Sequence, residues 1–100
     1  MPTERARDGA QSIRRAISVL RILAAARDAG MGLSEIAQQT ELARPTVHRI
    51  LRVLMGERIV EQRPRTRRYA LGEQIPLLAL ARPAATPIIA AGVPALGAVV

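Results

Sequence analysis

Ala43-Arg44-Pro45-Thr46-Val47-His48-Arg49-Ile50-Leu51-Arg52-Val53-Leu54-Met55 is the stretch that decides the fold, because its two faces make opposite demands. Val47, Ile50, Leu51 and Leu54 recur at the i, i+3, i+4, i+7 spacing of one helical stripe. On the far side, at about 100° per residue, fall Pro45, Arg49 and Arg52, with Arg44, Thr46 and His48 beside them near the amino-terminal end. One face asks for a core and the other for a polyanion. Pro45 suits the first turn of a helix, where its missing N–H would have had no partner, so the helix begins close to Arg44. A merely solvated arginine face is the alternative reading of the same residues.

Composition narrows the choice. One hundred residues make one small domain with a modest core, and a single aromatic, Tyr69, leaves packing to Ile, Leu, Val and Ala. The net charge is +7, and all fifteen basic residues are arginine, whose planar fork pairs bidentately with phosphate or with guanine edges. Such a balance favours nucleic acid or an anionic membrane surface as partner. With no cysteine and one histidine, His48, disulfides are excluded and neither a metal site nor a cofactor is expected. No catalytic constellation, Gly-rich phosphate loop or H-E-x-x-H is present, so an enzyme would have to be built from isolated carboxylates. No apolar leader run opens the chain, and the expected location is the cytoplasm.

Working outward from the central helix, residues 40–43 (Thr40-Glu41-Leu42-Ala43) have the length of a helix-turn-helix turn, with Leu42 filling the angle between the helices. Before them, Leu33 to about Gln39 reads as two turns of helix, Gly32 serving as N-cap and Glu35 reaching back to it. Ile36 and Ala37 face inward. Asp28-Ala29-Gly30-Met31-Gly32 is a loop. Upstream, Ile13, Ala16, Ile17, Leu20 and Leu23 mark an amphipathic helix from Gln11 to Ala26 with Ser12 as a possible N-cap. Residues 1–10 are polar and read as a mobile arm in which Arg5 and Arg7 are the groups able to reach a DNA groove. Downstream, Ile59 to Arg63 and Arg68 to Leu71 are two short extended segments flanking a tip rich in arginine, and Val60, Tyr69 and Leu71 can face the helices. A basic hairpin in that position is a wing.

Leu42-Ala43-Arg44-Pro45-Thr46-Val47-His48-Arg49-Ile50-Leu51, followed by Ile59-Val60-Glu61-Gln62 and Arg68-Tyr69-Ala70-Leu71-Gly72, resembles the winged helix-turn-helix of the IclR family of bacterial transcriptional regulators, over about Ser12 to Arg82. The resemblance implies a mainly α fold, three helices and a two-stranded β-wing followed by a linker helix. It implies an arm over 1–10, a DNA-binding domain over 11–72, and over 73–100 a linker helix with an apolar tail that opens a larger effector domain. The family binds operator DNA as a dimer, represses or activates genes of carbon and aromatic-compound metabolism, and senses a small metabolite through that second domain. Three positions depart from its pattern: Glu41, Arg58 and Arg67 stand where glycine is usual. If those backbones keep positive φ, each costs roughly 1 kcal/mol or more, although Gly56 offers an earlier helix end that would spare Arg58. Residues 83–100 carry no charge, and Pro83, Pro87 and Pro94 argue against a membrane span there.

The expected DNA contacts are Arg44, Pro45, Thr46, His48, Arg49 and Arg52 on the helix and Arg65, Arg67 and Arg68 on the wing. Each has an ordinary alternative. Arg49 can pair with Glu35 or Glu61, Thr46 can cap its own helix, His48 can be a surface or phosphate-bonding histidine, and Tyr69 is wing packing rather than a stacking platform. The expected partners are duplex DNA with a pseudo-palindromic operator and a second copy of the chain, at least on DNA. A small-molecule effector is expected only in a full-length form, and no membrane. The alternative function is a winged-helix protein-interaction module without specific DNA readout, which would carry apolar residues on the face where these arginines stand.

Overall fold

The computed structural model describes residues 2–83, with side chains from residue 9 onward. Four helices, α1 (Pro2–Ala26), α2 (Leu33–Thr40), α3 (Arg44–Gly56) and α4 (Gln74–Leu80), surround one antiparallel hairpin of β1 (Val60–Gln62) and β2 (Tyr69–Leu71). The order is that of a winged helix-turn-helix, as the sequence leads one to expect. The apolar tail beyond residue 83 lies outside the described residues, as do the side chains of Arg5 and Arg7.

The recognition stripe behaves as its spacing demands. Val47 and Leu51 are fully buried, and Ile50 and Leu54 pack half-buried against the same core. Ile36 and Ala37 of α2 close it from one side, Val60 and Tyr69 of the hairpin from another. Each fully buried Leu, Ile or Val contributes roughly 1.5–3 kcal/mol. Tyr69 is 5% exposed and belongs to the core rather than to any stacking surface.

Two expectations about α1 are corrected. The helix does not begin near Ser12; it starts at Pro2 and runs unbroken for 25 residues. Glu4, Arg5, Ala6, Arg7 and Ala10 are good helix formers, and adding residues to an existing helix lacks the cost of nucleation, so local polarity alone did not define a loop. The buried seam also differs from the expected stripe: Val19 and Leu23 are fully buried, while Ile13 is 65% and Ile17 41% exposed. The buried side chains of α1 among the described residues, Val19 and Leu23, both lie in its carboxy-terminal half.

Both helices of the central pair end in the same way. After α2, Glu41 N–H bonds to Gln38 O and Leu42 N–H to Ala37 O; after α3, Arg58 N–H bonds to Met55 O and Ile59 N–H to Leu54 O. These are Schellman motifs, which need a left-handed residue and bring the next apolar side chain back onto the helix. Glu41 has φ 59° and Arg58 φ 62°, so the backbone expected of glycine is kept with larger residues in it. Gly56 does not spare Arg58, because α3 continues through Gly56 and the chain behind it is pinned: Gly72 N–H bonds to Ile59 O at 2.7 Å and Gln74 N–H to Arg58 O at 3.1 Å. A Cβ on Gly72 would lie 2.6 Å from Arg58 O, which is why this approach requires glycine. Arg27, at φ 58° in the 3₁₀ turn Arg27–Ala29, is a further left-handed residue that nothing in the sequence pattern marks.

Candidate nucleic-acid interface

Helix α3 presents the surface. Its first turn forms without a side-chain cap, Ala43 holding the N-cap position and Pro45 the first turn. Thr46 is therefore not capping its own helix; it is half-buried and lines a groove against Ser12, Arg15 and Ala16 of α1. Arg44, Pro45, His48, Arg49 and Arg52 are all exposed, on the side of α3 opposite Val47 and Leu51. His48, Arg49, Arg52 and Val53 together border a shallow depression.

The wing is short and braced. Its register pairs Val60 with Leu71, Glu61 with Ala70 and Gln62 with Tyr69. At the tip, Arg63 N–H bonds to Arg68 O and Arg67 N–H to Arg63 O, both at 2.8 Å, and Gln62 Nε2 donates to Arg67 O at 3.0 Å. Those bonds hold Arg67 at φ 63° and leave Arg65 and Arg67 exposed at the turn.

The ion pairs decide which arginines remain available. Glu61 lies 3.3 Å from Arg63, Glu73 3.2 Å from Arg58, and Glu35 3.2 Å from Arg68. The two carboxylates that might have held Arg49 are thus occupied elsewhere. Among the described residues Arg44, Arg49, Arg52, Arg65 and Arg67 take part in no ion pair. The Arg68 fork, expected on the DNA backbone, also has partners within the fold: Nε donates to Ala29 O at 3.0 Å and Nη2 to Gly30 O at 3.1 Å. Glu35, read from sequence as a cap or a partner of Arg49, accepts the Gly32 N–H at 3.0 Å with the same Oε1 that faces Arg68.

Sequence reasoning missed two further elements. Met31 and Tyr69 exchange backbone hydrogen bonds of 2.8 Å in both directions, so the α1–α2 connection adds a one-residue bridge to the free edge of β2. Arg15 and Ser12 reach the groove beside Thr46 and Arg49; their i, i+3 spacing on α1 was the only available signal. Among the described residues no three His, Asp or Glu side chains gather in a metal-binding cluster, and no described helix is long and apolar enough to cross a membrane.

Comparison with known proteins meets this geometry from outside. Residues 12–64 match the model of the IclR helix-turn-helix domain. Over 65 residues the chain is 49% identical to the glycerol operon regulatory protein of Streptomyces griseus and 45% identical to that of Streptomyces coelicolor, covering 65% of this chain and 25% of each relative. The chain therefore spans about a quarter of the length of the curated relatives it matches. An IclR transcriptional regulator of Alicyclobacillus acidocaldarius, known by crystal structure, superposes with a TM-score of 0.61 at 38% identity, over 71% of this chain and 29% of that one.

Proposed function

The chain belongs to the IclR family of transcriptional regulators, and from that membership we propose that residues 11–72 are a sequence-specific operator-binding domain, with α3 laid in the major groove and the wing on the adjacent backbone. The observation that carries the reading is the exposed, unpaired arginine face of α3 opposite a fully buried Val47 and Leu51. Arg49 and Arg52 face base edges, Arg44, Thr46 and His48 fix the helix end against phosphates with the Pro45 ring packed beside them, and Arg65 and Arg67 hold the backbone from the wing tip. A protein-interaction module would spread apolar side chains over that face, and Val53, 63% exposed, is the large apolar residue exposed on α3. The work is binding rather than catalysis, in the cytoplasm, with no membrane partner.

Assembly follows from geometry. Two copies that read successive major grooves on one side of a duplex place their recognition helices roughly 34 Å apart, which calls for a pseudo-palindromic site and a two-fold interface. Among the described residues, the large apolar side chains exposed away from α3 are Ile13 and Ile17 on α1 and Leu77, Leu78 and Leu80 on α4, at 55%, 60% and 80% exposure for the last three. Residues 73–100 are read as a linker and the start of an effector domain.

The test is titration of fluorescent duplex with the purified chain across salt. Segment 44–68 holds eight arginines against two glutamates, and five of the arginines are unpaired. Each phosphate contact releases counterions, so with Arg44, Arg65 and Arg67 on phosphates log K against log salt should fall with a slope of about −3 per copy. Affinity that stays level between about 50 and 200 mM salt would remove the reading.

A further inference from the structure

The base of the wing is tied to the rest of the domain at one charged knot. Arg68 stands just before β2, and its guanidinium reaches back across 39 and 38 positions of sequence to the carbonyls of Ala29 and Gly30. The Glu35 carboxylate faces it at 3.2 Å and is itself fixed by the Gly32 N–H. The loop after α1, the first turn of α2 and the root of the wing therefore meet at a single carboxylate oxygen. Beside it run the two Met31–Tyr69 backbone bonds.

We propose that Glu35, acting through Arg68, is a positioning residue for DNA binding: it sets the angle of the wing relative to the helix-turn-helix, so that an acidic side chain strengthens the binding of a polyanion. This rests on the operator-binding reading. The wing is a lever. Strands of three residues span about 10 Å, and a tilt of about 20° at the root would carry the tip by roughly 3 Å, enough to break a hydrogen bond from Arg65 or Arg67 to phosphate. Arg68, paired with Glu35, offers a polyanion little net charge, so its contribution is orientation.

The chemistry of Glu35→Gln separates this from simple electrostatics. Glutamine keeps an oxygen for the Gly32 N–H and removes the charge facing Arg68. Loss of a negative charge from a DNA-binding surface by itself leaves binding equal or tighter. The proposal expects binding about two- to fivefold weaker at the same salt, the range of one partly exposed ion pair. It also expects Arg67→Ala, which lowers the salt slope by about one in the unaltered chain, to lower it by less than half as much in the Glu35→Gln background. Arg68→Lys is the second variant. Lysine retains a charge for phosphate but lacks the fork that reaches two carbonyls and a carboxylate, so it should weaken binding as Glu35→Gln does. Equal or tighter binding by Glu35→Gln, or near-unaltered binding by Arg68→Lys, overturns the proposal while the operator-binding reading stands. The unaltered chain measured alongside reports on that reading separately: if it shows no salt-dependent binding, both fall. Should Glu35→Gln melt below the assay temperature, Arg68→Lys decides alone.

Discussion

Replacing Gly30 with alanine attacks the place where the wing is joined to the helices. Gly30 sits at φ 71°, and a Cβ built on it would lie 2.6 Å from Tyr69 O and 3.3 Å from Tyr69 C. Both are backbone atoms of the strand, so no side chain can swing away to make room. Two costs combine. With ψ −170°, this backbone lies in a region used essentially only by glycine, and it costs an L residue roughly 1–3 kcal/mol. The clash falls on the carbonyl that accepts the Met31 N–H, so the pair of 2.8 Å bonds between Met31 and Tyr69 must lengthen or break, at about 1 kcal/mol each. The expected destabilisation is about 3 kcal/mol, which in a domain of this size lowers Tm by roughly 15 °C. Gly56→Ala is the matched control: Gly56 is helical with open space around its Cα, and the same substitution should stabilise by about 0.5 kcal/mol. Thermal unfolding followed by circular dichroism compares the two. Equal Tm values for the Gly30 and Gly56 variants would refute the argument that backbone contact, rather than helix propensity, governs Gly30.

Three further outcomes follow from the same geometry. Glu41→Gly and Arg58→Gly relieve left-handed strain in the two Schellman turns and should each raise stability by about 1 kcal/mol, read from urea midpoints; a fall in both would mean that the side chains, not the backbone, hold those turns. Arg49→Ala should cost roughly 1–3 kcal/mol on a selected operator and flatten preference among sequences, whereas Arg67→Ala should weaken all duplexes alike; identical losses on operator and random DNA for both would make Arg49 a phosphate contact only. In sedimentation, the free chain should be monomeric or weakly dimeric and become two copies per palindromic duplex, and a one-to-one complex there would exclude the two-fold assembly.

What the sequence determined by itself is the local and periodic part. The spacing of Val47, Ile50, Leu51 and Leu54 dictated the buried face of α3, and with it the side on which Arg44, His48, Arg49 and Arg52 had to emerge. The Gly32–Glu35 pairing, the turn around Leu42 and the hairpin were legible for the same reason, since each depends on residues within a few positions of one another. The tertiary structure alone decided what depends on meetings across the chain. Which stretch of α1 is covered, and so why Val19 rather than Ile17 is buried, is set by where α2 and β2 lie against it. Arg58 remains left-handed because Gly72, far along the chain, comes within hydrogen-bond reach of Ile59. Glu35 and Arg68 are 33 positions apart, and no helical or strand period relates them. A charge pattern along the sequence counts arginines, but only the fold assigns some of them to carboxylates and carbonyls and leaves the others free to face solvent.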